Sequence, residues 1–374
     1  MAHFRKHEKE LKAILFLFSV AIIVKVVLLL IFSLKTSKML DFATYYEAVA
    51  RVMTGLNPYS KIGSYWFTYP ATSLPFFAIL GFFPYFWSQI IWTMASLGSV
   101  LLSVILLLKL TIKKNSWYWI IVVFGLTLLP FPMRFNLLMG QVNNFILLFL
   151  VLTLYFDQKT NHKLSGLFWG VAILVKVLPL FLVFLFLRFD RKKTILFLLL
   201  ILSFGLLSSV LLFGFNLNLA YFLTVLPQSL GSSGKEVYYN QALSGFVSRI
   251  PYLSAPIKYD LYLISAGLFF LVYLLRLRKI KDFLLAFSFS VTTLLLLNGY
   301  TFFHHLVLLV LPYILLWPRI SHKNTRIKGI YFLSFFLLIF NIVGFEKWTN
   351  PMQLLLLSHD FYGLLLLFGL HFVV

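Results

Sequence analysis

The sequence predicts an all-α polytopic membrane protein, and three observations support this prediction. Hydrophobic residues make up 61% of the 374-residue chain, and the mean hydropathy is +0.94, values that exclude an ordinary soluble domain. Apolar segments recur along the whole chain, and short basic clusters separate them. No polar stretch is long enough to bury a core of its own, so we predict a single integral membrane domain over residues 1–374.

Ten apolar segments are candidate membrane helices, because each approaches the roughly 20 residues that a span requires. They are 12–34, 86–110, 117–135, 142–156, 194–214, 259–275, 283–298, 304–317, 329–344 and 352–372. Two further segments are ambiguous. Segment 70–84 contains three prolines, and segment 164–187 is interrupted by Lys176 and Pro179.

The distribution of basic residues favours one topology. If 70–84 does not cross and 164–187 is two short helices hinged near Lys176, 21 of the 32 Lys and Arg lie in the cytoplasm, 10 lie on the outer side and Lys25 lies within the membrane. If 70–84 crosses and 164–187 is one span, the Lys and Arg residues divide nearly evenly between the two sides. The positive-inside rule therefore favours the first topology, with about 12 membrane helices and both termini in the cytoplasm. Outer loops then lie at 35–69 and 215–258, and polar segments converge on an outer-face cavity.

The net charge of +21 follows the same distribution. The basic residues lie in short clusters between apolar segments, which is typical of cytoplasmic loops and contacts with membrane lipids. We therefore predict no nucleic-acid partner. The absence of cysteine excludes disulfides and thiol nucleophiles.

Asp41 is the most informative single residue. It follows the first apolar segment and is one of only 11 Asp and Glu residues; carboxylates close to hydrocarbon are costly and usually functional. The periodicity of 41–54 predicts a short helix at the interface, with aromatic side chains anchoring it at the membrane surface. Asp41 is therefore either a functional carboxylate or the N-terminal cap of that helix.

Two further motifs lie where polar residues interrupt apolar sequence. Gln141 and Asn143 belong to a Gly-Gln-Val-Asn-Asn turn, which is either a plain tight turn or a pair of amides that bind sugar hydroxyls. Lys176 is flanked by apolar residues. It either extends to a lipid headgroup or serves as a fixed cation for a lipid phosphate.

The remaining polar candidates lie in the second half of the chain. Arg249 ends the polar centre of the loop 215–258 and is either a solvated loop residue or a bidentate phosphate ligand. His304 and His305 are adjacent at a predicted helix start, where neighbouring side chains point about 100° apart and do not readily share a metal. We prefer one of the two histidines as a phosphate or sugar contact.

Seven motifs follow one another along the chain: D-F-x3-Y-x-A at 41–48, G-L-N-P-Y at 55–59, Y-P-A at 69–71, G-Q-V-N at 140–143, G-L-F-W-G-V-A-x3-K-V-x-P at 166–179, N-Q-A-L-S-G-F-V-S-R at 240–249 and H-H-L-V-x3-L-P at 304–312. In this order they resemble glycosyltransferase family 87, a group also described as DUF2029 that has the GT-C fold. The resemblance covers nearly the whole chain. Family members often have Y-P-P where this chain has Tyr69-Pro70-Ala71, and a serine-proline pair where it has Asn298-Gly299.

The resemblance implies an inverting transferase that moves a hexose, with mannose expected, from a polyprenyl-phosphate donor to a lipid or glycan acceptor. It implies an active site on the outer face of the plasma membrane, as part of the cell envelope. Asp41 would be the general base, and no cofactor or metal is required. The donor phosphate would bind Lys176, Arg249, His304 and His305, and the sugar or acceptor would bind Tyr45, Glu47, Asn57, Tyr59, Gln141, Asn143, Asn240 and Gln241.

A flippase or transporter of a lipid-linked sugar is the alternative function. It would also have about 12 helices, basic loops and an outer cavity. Transporters of this kind usually contain internal repeats, and the two halves of this sequence show none.

Overall fold

The computed structural model describes residues 2–36, 39–61, 66–112, 116–231, 238–344 and 351–374. Parts of both predicted outer loops, residues 37–38, 62–65 and 232–237, therefore lie outside the described residues. The helices are α1 (Ala2–Thr36), α2 (Leu40–Met53), α3 (Leu74–Phe77), α4 (Tyr85–Thr111), α5 (Trp117–Leu128), α6 (Phe131–Met139), α7 (Asn143–Gln158), α8 (His162–Val175), α9 (Val183–Arg188), α10 (Lys192–Phe213), α11 (Phe215–Ala220), α12 (Leu226–Gly231), α13 (Leu243–Arg249), α14 (Ala255–Lys279), α15 (Phe283–Leu297), α16 (Val310–Ile320), α17 (Thr325–Leu337), α18 (Pro351–Leu356) and α19 (His359–Leu370).

Short irregular helices complete the described backbone. Segments of 3₁₀ helix lie at Ala71–Ser73, Ala78–Phe82, Leu178–Leu182 and Phe303–Leu309, and a π-helical turn lies at Tyr221–Val225. The described residues contain no strand, only an isolated bridge between Asn240 and Phe302. The prediction of an all-α protein is therefore confirmed for the described part of the chain.

Five helical segments among the described residues are long and apolar enough to cross a membrane. They are Lys9–Lys35, Tyr85–Thr111, Lys192–Phe213, Ala255–Lys279 and Phe303–Ile320. Several shorter apolar helices, including α7, α8, α15 and α19, lie among them. The total of 12 membrane helices stays a prediction.

The predicted membrane helix 117–135 is not one continuous helix, because the chain bends by 79° between α5 and α6. Pro130 and Pro132 explain the bend: a proline lacks the amide hydrogen of a helical bond and disfavours helix in the residue before it. The amide of Phe131 donates instead to the carbonyl of Leu338, at 2.8 Å. The bend turns α6 back toward the polar residues that follow it.

Segment 164–187 breaks where the sequence predicts. Helix α8 ends at Val175, Lys176 adopts an extended backbone conformation, and a 3₁₀ turn containing Pro179 follows. Two side chains satisfy carbonyls near the break: Thr72 donates to Leu174 at 2.7 Å, and Trp169 donates to Pro179 at 3.0 Å. Side chains of the protein therefore bond to two of the carbonyls at the break.

Burial divides the helices into two groups. Most of the side chains of α15 are buried, and α4, α7, α8 and α10 pack side by side. By contrast, only 11% of the most apolar stretch of α10 or of α14 is buried. Their exposed aliphatic side chains, among them Leu199, Leu207, Ile264 and Leu268, form the apolar surface expected of helices that face lipid.

Candidate active site

Asp41 is the second residue of α2. Met39 occupies the N-cap position, and no side-chain hydrogen bond caps this helix, so the interpretation of Asp41 as the cap residue is wrong. The carboxylate nevertheless lies at the positive end of the helix dipole, which favours its ionised form. It is partly exposed, as a group that must reach a substrate needs to be.

The aromatic residues beside Asp41 pack inside the protein rather than at the membrane surface. Phe42 and Tyr45 are almost fully buried. The ring of Tyr45 stacks on Phe77 with centroids 4.3 Å apart, and Phe42 contacts Tyr85 edge-on at 5.3 Å. Their predicted role as interfacial anchors is therefore wrong, and they instead fix α2, and with it Asp41, against the helical core.

A tight turn at Gly140 brings the amide motif to α2. Gly140 has φ of +68°, a left-handed conformation that glycine adopts without steric cost. The indole nitrogen of Trp92 donates to its carbonyl at 2.7 Å. A Cβ atom at this position would lie 2.6 Å from the Cβ of Phe42, so the close approach of this turn to α2 requires glycine.

Replacing Gly140 by alanine is expected to destabilise the protein by about 2 kcal/mol or more, because a left-handed alanine and a core clash each cost about 1 kcal/mol or more. The measurement is the thermal unfolding midpoint of the purified protein in detergent. Gly98→Ala is the matched control: Gly98 lies inside α4, and no atom lies within 4 Å of an added Cβ. The control should be neutral or slightly stabilising.

Gln141 lies at the centre of a buried hydrogen-bond network. Its Oε1 atom is 3.0 Å from the Tyr45 hydroxyl, 3.1 Å from the Tyr69 hydroxyl and 3.3 Å from Asn143 Nδ2. The two tyrosine hydroxyls lie 2.9 Å apart. The Gln141 side chain also lowers the pKa of Asp41, so the predicted base lies within the influence of the predicted amides.

Lys176 joins the same network from the break after α8. Its Nζ atom donates to Asn143 Oδ1 at 2.8 Å and lies 5.5 Å from the ring centroid of Tyr69. Its positive charge acts on Asp41. The structure thus brings together a carboxylate and a cation from segments 135 residues apart in sequence, beside two amides.

The pKa of Asp41 depends on opposing effects of burial and of its polar neighbours. Burial raises the pKa of Asp41 to about 6, while the Gln141 side chain and the charge of Lys176 oppose that rise. A carboxylate with a pKa of about 6 is mostly ionised at neutral pH and is a stronger base than an ordinary aspartate. Both properties suit a general base.

His304 and His305 lie close enough to Lys176 for its charge to act on both. His305 is 7% exposed, and its Nδ1 accepts a hydrogen bond from the amide of Phe302 at 3.2 Å. The ring of His304 lies parallel to that of Phe135, with centroids 6.4 Å apart. The described residues hold no group of three or more His, Cys, Asp and Glu side chains that could bind a metal ion.

Arg249 belongs to a second polar cluster. Its Nε donates to Ser358 Oγ at 2.8 Å, and its Nη1 donates to the Asn240 carbonyl at 2.9 Å. Gln241 Nε2 donates to the carbonyls of Tyr238 and Leu357 at 2.6 and 2.7 Å. These bonds hold the segment 238–249 against the C-terminal helices. The predicted ligand roles of Asn240, Gln241 and Arg249 stay predictions.

The second cluster contains residues that the sequence did not single out. His359 Nε2 lies 2.8 Å from the Tyr238 hydroxyl, and its Nδ1 lies 3.0 Å from Asp360 Oδ1. The Asp360 side chain is fully buried. The only available signal was a carboxylate within the predicted membrane helix 352–372, whereas Asp41 follows a predicted membrane helix.

The segment that precedes His304 and His305 connects the cluster around Arg249 with these two histidines. The amide of Gln241 donates to the Thr301 carbonyl at 2.7 Å, and the amide of Thr301 lies 3.2 Å from Asn240 Oδ1. Asn240 also forms the isolated bridge with Phe302. Asn240 and Gln241 therefore position the turn that leads to His304.

The remaining predicted ligands lie around the turn after α2. The Asn57 side chain accepts from the amide of Tyr59 at 2.9 Å, which is a local turn contact, and the Tyr59 hydroxyl donates to the Tyr69 carbonyl at 3.1 Å. Glu47 borders a crevice of about 10 Å³ that also includes Arg51. A sugar ring does not fit this crevice, so the predicted substrate cavity stays a prediction.

A larger groove lies elsewhere. It measures about 570 Å³ and follows the exposed face of α1 beside Lys25. Its lining residues do not include Asp41. The polar chemistry of the described residues is concentrated instead around Asp41, and that cluster is the candidate active site.

Two further residues of the Asp41 cluster have no role in the sequence-based prediction. Tyr69, within the Tyr-Pro-Ala motif, bonds to both Tyr45 and Gln141. Asn136 is completely buried, and its Oδ1 accepts from Asn143 at 3.3 Å. The latter had no visible signal, because an isolated asparagine in an apolar segment resembles any satisfied core amide.

Long apolar helices around a cluster of a partly exposed carboxylate and lysine and two buried amides define an integral membrane protein with a polar site. Comparison with known proteins narrows this class: the sequence profile of glycosyltransferase family 87 matches residues 67–320. The chain belongs to glycosyltransferase family 87. Asp41 and α2 precede the matched region, so the significance of Asp41 depends on the geometry above.

One curated relative is an alpha-(1->3)-arabinofuranosyltransferase from Corynebacterium glutamicum. It is 27% identical over 161 residues, which cover 41% of this chain and 37% of the relative. The chain thus matches little more than a third of the relative's length.

Proposed function

We propose that this protein is an inverting glycosyltransferase that uses a polyprenyl-phosphate-linked sugar as donor. The observation that carries the proposal is the placement of Asp41 within reach of the charge of Lys176, whose ammonium group is hydrogen-bonded to Asn143. A base and a cation held a short distance apart suit a reaction in which a hydroxyl loses a proton and a phosphate leaves. Membership of family 87 supports the same reaction class.

In the proposed step, Asp41 takes the proton from an acceptor hydroxyl as that oxygen attacks the anomeric carbon. The new carbon–oxygen bond forms on the face opposite the phosphate, and the bond from the anomeric carbon to the phosphate oxygen breaks. The electron pair leaves with the polyprenyl phosphate, and a single displacement inverts the anomeric configuration. No acid is needed, because the phosphate leaves without protonation.

Lys176 is the proposed cation for the leaving phosphate. An ammonium group has three donors, and Asn143 accepts from one of them at 2.8 Å. The other two remain for phosphate oxygens, where fixed positive charge stabilises the developing negative charge. His304 or His305, both within reach of the charge of Lys176, would add a neutral hydrogen bond to the same phosphate.

The transferred sugar and the acceptor are matters for direct assay. A hexose, with mannose first, is the prediction from the sequence, whereas the name of the curated relative favours an arabinofuranosyl donor. We propose incubating the purified protein with polyprenyl-phosphate mannose and, separately, polyprenyl-phosphate arabinofuranose, each with lipid and glycan acceptors. Mass spectrometry would identify a glycosylated product and its sugar.

The same assay tests the alternative function. A flippase would move the lipid-linked sugar across a vesicle membrane without forming a glycosidic bond. Family membership favours the transferase. Transbilayer movement of the donor without any glycosylated product would refute the proposed function.

The pH dependence of transfer should report the ionisation of Asp41. Because the base must be ionised and its pKa is raised to about 6, activity should increase as pH rises through about 6 and level off above it. Well below this pH the rate should fall about tenfold per pH unit. A pH–rate profile at saturating donor measures this, and a constant rate between pH 5 and 8 would contradict the assignment.

We place the proposed site on the extracytoplasmic face of the plasma membrane. The charge distribution along the chain supports this orientation, because it assigns most basic residues to cytoplasmic loops. A cysteine introduced at exposed Ser60, near the proposed site, should react with a membrane-impermeant maleimide in intact cells. Labelling only after the cells are opened would place the site on the cytoplasmic side.

A further inference from the structure

We infer that the exposed face of α1 docks a membrane-spanning helix of another protein, and that a carboxylate of that helix pairs with Lys25. This surface, the Lys25 face, consists of Leu17, Ala21, Val24, Lys25 and Leu28, which line the groove of about 570 Å³ on α1. None of these residues belongs to the Asp41 cluster or to the cluster around Arg249. Docking at the Lys25 face is therefore separate from the proposed sugar transfer.

The opposite face of α1 is occupied by the protein's own helices. Ser19, Ile22, Val26 and Leu30 repeat at helical spacing and are buried, and α1 packs against α5. A Cβ atom added to Gly125 of α5 would lie 2.5 Å from the Cβ of Ser19, so the two helices are in close contact there. Only 22% of the most apolar stretch of α1 is buried, which leaves the Lys25 face uncovered by the described residues.

Lys25 lies well inside the membrane span. It is 10 residues before Lys35 and 16 residues after Lys9, the two ends of the span. At 1.5 Å per residue these separations correspond to about 15 Å and about 24 Å along the helix. Because side chains on a helix point toward its N-terminus, the lysine is directed toward the more distant end. Neither membrane surface is within the reach of its side chain.

The ammonium group of Lys25 needs an acceptor. Charged side chains in hydrocarbon almost always face the interior of a helical bundle, line a water-filled cavity or pair with an opposite charge. Lys25 is instead exposed on the outer side of α1, and no described residue forms a hydrogen bond or ion pair with it. Since an ammonium group has three donors and no acceptor, an anionic partner from outside the described part of the chain would complete this site.

The shape of the Lys25 face suits a helix. Ala21, Val24, Lys25 and Leu28 repeat at intervals of three and four residues, so their side chains form one ridge along the axis. Ala21 is small, and small residues allow two membrane helices to approach closely. In hydrocarbon a partner segment must itself be helical, because its backbone groups have no water to bond with. A carboxylate near the middle of that helix supplies the anionic acceptor.

Two other occupants fit this face less well. Lipid phosphates lie at the membrane surface, about 15 Å or more from Lys25 along the helix. A second copy of this chain would bring two Lys25 side chains together in a symmetric contact. The long helices among the described residues also carry no exposed carboxylate near their middle that could serve an asymmetric contact. The charges therefore favour a different membrane protein.

The test is resonance energy transfer between the full chain and a synthetic helix in phosphatidylcholine vesicles. The probe is a fluorescent membrane-spanning peptide of leucine and alanine with one glutamate at its centre, and a matched peptide has glutamine there. The chain contains no cysteine, so Lys9→Cys, at the exposed start of the span, provides a single position for the second dye. We expect the glutamate peptide to bind about tenfold more tightly than the glutamine peptide.

Three variants separate the site from the charge alone. Lys25→Leu should weaken binding of the glutamate peptide about tenfold, to the level of the glutamine peptide. Lys25→Glu should reverse the preference and favour a peptide with a central lysine. The matched control combines Lys25→Leu with Leu268→Lys, which moves the lysine to an exposed position near the middle of α14. This control should not regain the affinity.

Several results would overturn the inference. Equal binding of the two peptides by the wild type would mean that Lys25 does not select a carboxylate, and recovery in the Leu268→Lys control would mean that any exposed lysine suffices. Energy transfer between two labelled copies, lost in Lys25→Leu, would make the occupant a second copy. A phospholipid detected by native mass spectrometry on the wild type, and absent from Lys25→Leu, would assign the site to lipid. None of these measurements depends on sugar transfer.

Discussion

Replacing Asp41 by asparagine is expected to lower sugar transfer by about 10²–10⁴-fold, the usual contribution of a positioned general base. Asparagine has nearly the same shape as aspartate, and its side-chain oxygen can still accept a hydrogen bond. The geometry of α2 should therefore persist while the basic oxygen is lost. Single-turnover assays with saturating donor measure the loss directly.

Two measurements make this result specific. The Asp41→Asn protein should bind the polyprenyl-phosphate donor with nearly unchanged affinity, because Lys176 and its amide partner are intact. Asp260→Asn is the matched control, since it removes one carboxylate from an exposed position in the first turns of α14. It should retain wild-type turnover.

The outcome that contradicts the base assignment is equally clear. Turnover of Asp41→Asn close to that of the wild type would mean that another group accepts the proton. Asp360, the fully buried carboxylate beside His359, would then need to be tested in the same way. A comparable loss in Asp260→Asn would instead point to an effect of net charge.

The helical character of this protein could be predicted from its sequence because apolar runs and prolines act locally. Runs of apolar residues predicted the long helices, and the break beside Lys176 followed from the proline at 179. The bend between α5 and α6 also follows from prolines, but the apolar run continues through them. Hydropathy alone therefore concealed the 79° change of direction.

The candidate site was only partly predictable, because it depends on contacts between distant segments. Asp41, Gln141 and Lys176 were each identifiable as polar residues in unfavourable places. Their partners Tyr69 and Asn136 received no role. The Tyr-Pro-Ala motif that contains Tyr69 does not indicate what its side chain contacts, and an asparagine in an apolar helix carries no distinguishing pattern. The contact between Lys176 and Asn143 joins segments far apart in the sequence, so only the structure reveals it.

The predicted phosphate ligands illustrate the same limit. Sequence order placed Lys176, Arg249 and the histidines in one functional group. In the structure the charge of Lys176 acts on both histidines, whereas Arg249 bonds to Ser358 and to the backbone of Asn240. A motif records which residues occur together in a family, but packing determines which of them share a cluster.

Replacing Lys176 by methionine is expected to have the second-largest effect, a decrease of about 10- to 100-fold in kcat/KM for the donor. A hydrogen bond to a charged group is worth about 1.5–3 kcal/mol, and each 1.4 kcal/mol corresponds to a factor of about ten. The value of kcat/KM should decrease for the donor and stay nearly unchanged for the acceptor. Lys25→Met is the control, because Lys25 lies exposed on α1 away from the cluster.

The same substitution should also alter the pH profile. The charge of Lys176 opposes the rise in the pKa of Asp41 caused by burial, so its removal should shift the acidic limb above pH 6. A weaker donor interaction together with a shifted limb would mean that one cation serves both the phosphate and the base. A shifted limb with unchanged donor kinetics would assign Lys176 to the base alone, and the leaving phosphate would then need a different cation.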